Sequence, residues 1–301
     1  MSSSIWLSGK CLNPLFCVLL QMSVLLGGVL SVSGCDEIEP IPSYLRIDTA
    51  QVQTQVAQGS SLHNIRNVWA YLDGTLLGAF ELPAQIPILA QGMHEIRLQA
   101  GIWHNGISGE RVSYPFYNTP KYTFDFQPAS SHQLEPVFEY TDDVHFSFID
   151  DFEAGSVFQP VGGSPELFQT TDIPSEVRSG AQSAKITLQA TADTVFQLNT
   201  LSYYELPGFN APVYLEMDYR CDADFQVTLK AINSTGDALT PTIRQYVAAR
   251  NTWNKIYIDL TEIVSYLNSD GYDRFQIILY AELPNDKSSA SYFFDNVKLV
   301  N

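Results

Sequence analysis

Strict alternation of apolar and polar residues is the feature that most limits what this 301-residue chain can fold into. Ile96, Leu98 and Ala100, for example, are separated by single polar residues. A period of two is the period of a β-strand, whose successive side chains point to opposite faces. Such runs recur across residues 44–140 and again across 144–300. We therefore predict an all-β fold, with Ile96, Leu98 and Ala100 facing a core.

Turn chemistry divides the first β-region into short strands. Asp73-Gly74 separates the apolar runs 68–72 and 75–80. An Asp-Gly pair accepts the positive φ angles that a two-residue turn between antiparallel strands requires. This stretch is therefore predicted to be a hairpin.

The second β-region has enough strand candidates for two packed sheets. Alternation is strict at Ala184, Ile186 and Leu188, and again at Phe225 and Val227. One short helix is expected at 261–267. The pattern predicts a two-sheet sandwich built from strands at 144–149, 183–190, 194–200, 213–219, 225–232, 242–247, 255–260, 275–280 and 292–300.

The N-terminal 34 residues have the layout of an export signal. Lys10 precedes an apolar run at 11–30, which Pro14, Gly27 and Gly28 interrupt. A membrane-spanning helix needs about 20 consecutive apolar residues, so the interruptions favour a signal peptide over an anchor helix.

Val32-Ser33-Gly34-Cys35 resembles the lipobox of bacterial lipoproteins. The resemblance implies a signal peptide at 1–34, a lipid on the Cys35 thiol and a lipidated tether at 35–43. The alternative is an ordinary secreted protein with a cysteine at this position. Asp36-Glu37-Ile38-Glu39 is similar to the acidic export tag of Bacteroidetes outer-membrane lipoproteins. That resemblance implies an outer-membrane location facing the cell exterior, with the periplasmic face as the alternative.

Charge and cysteine content exclude several functions. The formal net charge of −17 argues against nucleic acid as a partner, because phosphates require a basic surface. Of the four cysteines, only Cys221 follows Cys35. No disulfide framework or thiolate metal site is therefore expected, and Cys221 is interpreted as a structural thiol.

The turn chemistry of the first β-region follows one recognisable order: Val68, Tyr71-Leu72-Asp73-Gly74, Gly78, Pro87 and Gly92-Met93-His94-Glu95-Ile96. On this order, residues 44–140 resemble PEGA-type domains, which are small surface β-domains built from two hairpins. The resemblance implies a small β-sandwich and gives His94 the role of stabilising a turn.

The second β-region has an opening, a late and a closing motif: Ile149-Asp150-Asp151-Phe152-Glu153, Trp253-Asn254-Lys255-Ile256-Tyr257-Ile258-Asp259-Leu260 and Tyr292-Phe293-Phe294-Asp295-Asn296-Val297-Lys298-Leu299. With these motifs, residues 141–301 resemble galactose-binding-like jelly rolls, the fold of many carbohydrate-binding modules. The resemblance implies a structural Ca²⁺ between the first and last strands, held by position through Asp151, Glu153 and Asp295. Oxygen ligands suit Ca²⁺, although acidic strand ends also occur without an ion.

Two sets of aromatic residues are candidate binding surfaces. Trp103 lies on the opposite phase from the core residues of its strand, so an exposed patch for a protein partner is predicted, unless a loop covers it. Tyrosines in loop-like segments of the second region form a possible sugar platform, with core packing as the alternative. The first set is Trp103, Tyr114, Phe116 and Tyr117, and the second is Tyr203, Tyr204 and Tyr272.

No catalytic motif accompanies these features. The five histidines form no His-Glu-x-x-His pattern, and no Gly-x-Ser-x-Gly elbow is present. We expect a non-catalytic protein without a cofactor, apart from the possible structural calcium. The leading hypothesis is an interaction or scaffold subunit of an outer-membrane protein complex, and the alternative is a glycan-binding lipoprotein.

Overall fold

A computed structural model describes residues 39–164, 166–239 and 244–301. Residues 42–301 form one compact unit. The predicted signal peptide and the predicted lipidation site Cys35 lie outside the described residues. Within the described ranges, no helix has the length and apolarity needed to cross a membrane.

The first ten strands make up the N-terminal β-region. A single 3-10 turn, Val56–Gln58, interrupts it. The strands are β1 (Ser43–Ile47), β2 (Gln51–Gln53), β3 (Asn67–Leu72), β4 (Thr75–Glu81), β5 (Ala84–Ile88), β6 (Gly92–Trp103), β7 (Arg111–Ser113), β8 (Lys121–Phe126), β9 (Ser131–Gln133) and β10 (Val137–Glu139).

A five-stranded antiparallel sheet organises this region, in the order β4-β3-β6-β7 with β8 also paired to β6. Two smaller sheets, β5-β1-β9 and β10-β2, pack with it. Ile96, Leu98 and Ala100 are 0–1% exposed, which confirms the predicted core face. Asp73 and Gly74 adopt φ angles of 47° and 84° in the predicted hairpin turn. The turn-stabilising role predicted for His94 is confirmed, since its Nδ1 lies 2.6 Å from Asp73 Oδ2.

The remaining thirteen strands and one helix, α1 (Thr261–Ser269), form the C-terminal sandwich. The strands are β11 (Phe146–Asp150), β12 (Phe158–Pro160), β13 (Phe168–Thr171), β14 (Ser183–Gln189), β15 (Val195–Thr200), β16 (Tyr204–Glu205), β17 (Tyr214–Cys221), β18 (Phe225–Asn233), β19 (Ala238–Leu239), β20 (Gln245–Val247), β21 (Arg250–Asp259), β22 (Tyr272–Glu282) and β23 (Ser289–Val300).

Two sheets face each other in the sandwich. Sheet 1 has the order β13-β14-β23-β17-β21, with β11 paired to β23. Sheet 2 has the order β12-β15-β22-β18-β19, with β16 paired to β22 and β20 paired to β18. The alternating apolar residues of β14 and β18 are buried in the core between the sheets. The predicted all-β class and C-terminal sandwich are therefore confirmed.

The strand boundaries differ from the prediction where polar residues extend a strand. β21 begins at Arg250 rather than at Lys255, because its polar first half pairs with β17 as far as Cys221. The short strands β12, β16 and β19 were not predicted, since alternation needs several residues to be visible.

A buried carboxylate joins the N-terminal β-region to sheet 1. Glu216 on β17 has no exposed surface. Tyr114 and Tyr140, both from the N-terminal β-region, donate hydrogen bonds of 2.6 and 2.7 Å to its Oε1. Lys255 Nζ lies 3.0 Å from its Oε2. The carboxylate therefore has partners on both sides of the contact between the two regions.

A second pair of charges completes this junction. Lys298 Nζ donates a 2.8 Å hydrogen bond to the backbone carbonyl oxygen of Ser60. Asp218 forms an ion pair with Arg178, with 3.2 Å between Oδ1 and Nε. Burial lowers the pKa of Lys298 to about 8. The buried set, which we call the junction cluster, consists of Tyr114, Tyr140, Glu216, Asp218, Lys255 and Lys298.

The charges in the junction cluster hold one another ionised. Burial alone would raise the pKa of Glu216, but Lys255 and Lys298 bring that pKa below its usual value. Burial alone would lower the pKa of Lys255, but Glu216 and Asp218 hold it above its usual value. Two carboxylates facing two ammonium groups form a balanced set, which is the condition under which buried charges are tolerated.

We predict that Glu216→Ala lowers the free energy of unfolding by about 3–5 kcal/mol, because the substitution leaves two buried lysines without their shared partner. Urea denaturation at neutral pH measures the change. Glu135→Ala removes the same charge from an exposed position and serves as the control. An equal effect of the two substitutions would contradict the role given to Glu216.

The contribution of Glu216 should also depend on pH. Because its pKa is lowered in the folded state, its stabilisation is present above the unfolded pKa of about 4.3 and is lost as the pH falls through the folded value. We therefore expect the stability difference between the wild type and Glu216→Gln to shrink below about pH 4. Urea denaturation of both proteins across this pH range tests the expectation, and a constant difference would contradict it.

Candidate functional site

The two outer faces of the sandwich have different surroundings. The N-terminal β-region packs on the outer face of sheet 1, where the buried charges of the junction cluster lie. Since the two sheets are stacked, the outer face of sheet 2 points away from that contact. We call the outward side chains of β15, β18, β20 and β22, together with the adjacent Tyr203 and Arg244, the open face.

Alternation explains which side chains reach the open face. Phe225, Val227 and Leu229 point into the sandwich core. The residues between them on β18 must therefore point outward. They are Gln226, Thr228 and Lys230, and the same rule places Gln276, Ile278 and Tyr280 outward on β22.

Strand register arranges these side chains in rows across the sheet. The first row contains Gln197, Tyr280, Gln226 and Tyr246. The second contains Asn199, Ile278 and Thr228, and the third contains Gln276 and Lys230.

The side chains in the middle of the open face are mostly covered by their neighbours. Asn199, Thr228, Gln276 and Ile278 point outward but are only 4–7% exposed. Tyr246 at the β20 edge is by contrast 66% exposed. We call the four covered side chains, three of which are polar, the floor of the open face.

A tyrosine and a lysine stand at one end of the floor. Thr200, the last residue of β15, accepts a 2.7 Å hydrogen bond from Gln276 Nε2 through its carbonyl oxygen. The chain then turns and brings the Tyr203 ring to 5.9 Å from Lys230 Nζ. Tyr203 follows β15 and Lys230 lies on β18. Because Gln276 lies on β22, between these two strands, the contact between Tyr203 and Lys230 spans this part of the floor.

A tyrosine and an arginine stand at the other end. The Arg244 guanidinium lies 5.4 Å from the centre of the Tyr280 ring and donates a 2.8 Å hydrogen bond to Gln226 Oε1. The Tyr280 hydroxyl donates to Glu282, and this hydrogen bond raises the pKa of Tyr280. Glu282 therefore places a carboxylate at this end of the floor.

Only one of the three tyrosines predicted for a sugar platform reaches the open face. Tyr203 does so, but Tyr204 turns inward and lies 5.1 Å from the Phe148 ring. Tyr272 also packs against the sandwich core. Tyr204 and Tyr272 are both partly buried against the sandwich core and lie on strands, β16 and β22, rather than in the loops that the sequence suggested. Tyr280 and Tyr246 were missed, although the alternation of β22 indicates that Tyr280 points outward.

The predicted aromatic patch for a protein partner is wrong for three of its four residues. Tyr114, Phe116 and Tyr117 are only 2–7% exposed, because they pack against sheet 1 around the junction cluster. Trp103 is half-buried, with the Arg66 guanidinium 5.1 Å from its ring. It lines a cavity of about 210 Å³ between the N-terminal β-region and the sandwich.

The predicted calcium ligands are not brought together. Asp151 accepts the amide of Glu153. Glu153 accepts the amides at positions 181 and 182, and Asp295 accepts a 2.7 Å hydrogen bond from the Ser183 hydroxyl. Glu153 and Asp295 thus both accept hydrogen bonds from the segment 179–183, whereas Asp151 accepts from its own turn. Nowhere in the described residues do three or more His, Cys, Asp or Glu side chains group closely enough to hold a metal ion.

Cys221 is buried in the sandwich core, where burial raises the pKa of its thiol to about 11. A thiol with such a pKa is almost entirely protonated at neutral pH and is a poor nucleophile. This environment agrees with a structural role.

No protein-family model and no curated protein sequence matches this chain. Solved structures of carbohydrate-binding modules are similar to about half of this chain, at low identity. One similar solved structure is the CBM22-1 xylan-binding domain of Xyn10C from Paenibacillus barcinonensis, with 13% identity, a TM-score of 0.37, and coverage of 52% of this chain and 93% of that domain.

Two further solved structures are similar over a comparable part of the chain. The family 30 carbohydrate-binding module of the cellulase Cel9D-Cel44B from Clostridium thermocellum has 12% identity and a TM-score of 0.36, covering 52% of this chain and 96% of the module. The enzymatically active domain of tailspike protein 4 from bacteriophage CBA120 has 11% identity and a TM-score of 0.39, covering 57% of this chain and 26% of that chain. These likenesses concern the fold and carry no information about a ligand.

Proposed function

We propose that this protein is a non-catalytic glycan-binding protein and that the open face holds the sugar chain. The observation that carries the proposal is that the polar side chains Asn199, Thr228 and Gln276 lie on one sheet face, with the aromatic residues Tyr203, Tyr280 and Tyr246 beside them on the same face.

The chemistry of the open face suits a polyhydroxylated ligand. Sugar hydroxyls both donate and accept hydrogen bonds, and side-chain amides such as those of Asn199 and Gln276 also do both. The C–H faces of a sugar ring are apolar and pack on aromatic rings, which combine large contact area with rigidity. Polar groups that fix orientation beside aromatic groups that supply contact area are typical of ligand sites.

The floor favours binding without turnover. General acid–base catalysis needs a group that exchanges a proton near the working pH. Asn199, Gln276, Thr228 and Ile278 carry amide, hydroxyl and aliphatic groups, which do not titrate in that range. We therefore propose a binding role rather than a hydrolytic one.

The scaffold hypothesis loses one of its two supports. It rested on two modules without an enzyme to target and on aromatic-rich stretches such as 114–122, but Tyr114, Phe116 and Tyr117 are buried within the chain itself. The open face combines polar, aromatic and cationic side chains, so we prefer glycan binding as the proposal.

We also propose that Cys35 carries a lipid and that the acidic residues after it direct the protein to the outside of the outer membrane. This part of the proposal is supported by the sequence motifs Val32-Ser33-Gly34-Cys35 and Asp36-Glu37-Ile38-Glu39. Two or more acyl chains on one residue are sufficient for stable membrane anchoring. A glycan-binding face held at the cell surface would retain polysaccharide there.

We predict that Tyr280→Ala weakens glycan binding about tenfold, because the floor loses an aromatic ring at one end. Affinity gel electrophoresis of the detergent-solubilised, full-length protein against a panel of plant and microbial polysaccharides measures the change. Tyr280→Phe retains the ring and should bind nearly as well as the wild type. Tyr266→Ala is the matched control, since Tyr266 is an exposed tyrosine on α1. Absence of binding to every polysaccharide would refute the proposed function.

We predict that Cys35→Ala moves the protein from the membrane fraction to the soluble fraction, because no lipid can then be attached. Cell fractionation with immunoblotting tests this expectation, and Cys221→Ala should leave the distribution unchanged. Protease treatment of intact cells tests the outward orientation. Complete protection of the wild-type protein would contradict surface display.

A further inference from the structure

We infer that the glycan held on the open face is an acidic oligosaccharide, in which carboxylate-bearing sugar units meet Lys230 and Arg244. This inference rests on the proposed function and specifies the class of its ligand.

The first observation is that both cations lack an acidic partner. No carboxylate of the described residues lies within 4.0 Å of Lys230 or Arg244, whereas Lys255, Lys185 and Arg178 each form such a pair. The two side chains contact Tyr203, Tyr280 and Gln226 instead. Two cations of the open face are therefore available to an anionic ligand.

The second observation is that each cation stands beside a tyrosine ring at a different end of the floor. Arg244 lies by Gln226 and Tyr280, while Lys230 lies four residues further along β18. At about 3.3 Å per residue, the two positions are about 13 Å apart along the strand. A single monosaccharide is too small to reach both ends, so the arrangement fits a chain of several units.

The third observation is that the remaining charges do not cancel these two cations. Arg274 Nε lies 3.6 Å from Asp273 Oδ1, and Arg274 Nη2 donates a hydrogen bond to the backbone carbonyl oxygen of Asn233. Arg274 therefore adds little positive charge to the open face. Glu282 accepts the Tyr280 hydroxyl at one end, and the exposed Glu205 lies on β16 beyond the other. The floor residues between these ends, Asn199, Thr228, Gln276 and Ile278, are uncharged.

The overall charge of the protein makes this local arrangement necessary. A chain with a net charge of −17 repels a polyanion at long range. At physiological ionic strength that repulsion is screened beyond about 8 Å. Contacts with Lys230 and Arg244 then decide whether an acidic sugar binds, because charge-assisted hydrogen bonds are the strongest that a polar face offers.

The experiment compares acidic oligosaccharides with chemically matched neutral ones. Oligogalacturonides, alginate oligomers and glucuronic-acid-containing xylan oligomers are each used before and after reduction of their carboxylates to alcohols. Isothermal titration with the detergent-solubilised, full-length protein measures affinity for both forms. The variants are Lys230→Gln, Arg244→Gln and the double substitution, and Lys121→Gln is the control, because Lys121 is an exposed cation of the N-terminal β-region.

At least one acidic oligomer should bind about tenfold more tightly than its reduced form, and each single substitution should weaken acidic binding about tenfold. Each substitution should weaken binding of the acidic form more than binding of the reduced form, so the ratio of the two affinities should fall about tenfold. Raising the salt concentration should weaken the acidic complex, since the contacts are ionic. Lys121→Gln should behave like the wild type in every measurement.

Different results overturn different statements. Equal affinity for the acidic and reduced forms, or an acidic preference that survives in the double variant, refutes the acidic ligand and leaves glycan binding in place. A failure of every acidic, reduced and neutral glycan to bind refutes the proposed function as well. Thermal melting of each variant identifies any loss of affinity that comes from unfolding.

Discussion

The contact of Glu216 with Tyr114, Tyr140 and Lys255 is the interaction on which the described structure depends. A carboxylate with no exposure to water is stable only when its neighbours replace the water that it has lost. Here the neighbours come from both regions of the chain, so the folding of each region completes the environment of the other. This mutual requirement explains why residues 42–301 form one compact unit despite having two hydrophobic cores.

The junction also determines which surface is left for a ligand. By covering much of the outer face of sheet 1, the N-terminal β-region removes several charges and aromatic rings from solvent. The outer face of sheet 2 lies on the opposite side of the sandwich, and Tyr246 and Arg244 at its edge are exposed. The N-terminal β-region therefore has a clear structural role in the proposed function, which is to rigidify the sandwich from the side that does not bind.

The open face combines rigidity with a mixed chemistry. Its floor lies on the central strands of a sheet whose other side is a closely packed core, so the positions of Asn199, Gln276 and Ile278 are well defined. Tyr203 and Arg244 come from segments beside the strands and contact Lys230 and Tyr280 on them. A site on rigid elements with adaptable side chains at its ends suits a polymer that must be held at several points.

The sequence by itself determined the features that depend on local periodicity and turn chemistry. It predicted the inward faces of β6, β14 and β18, and the Asp73-Gly74 turn with its His94 contact, because each follows from a few neighbouring residues. The export and lipidation motifs are likewise local, and they stay predictions.

Only the tertiary structure decided which outward-facing residues are buried. Alternation places Glu216 on the outward face of β17, where an acidic residue is expected to meet solvent. Tyr114 and Tyr140 cover it instead, although they lie 102 and 76 residues earlier in the chain. The open face could not be predicted for the same reason. Its residues share one face only because β22 lies between β15 and β18, and they include Asn199, Tyr203, Lys230 and Tyr280. The order of strands in a sheet is set by long-range packing, and periodicity along the chain contains no information about it.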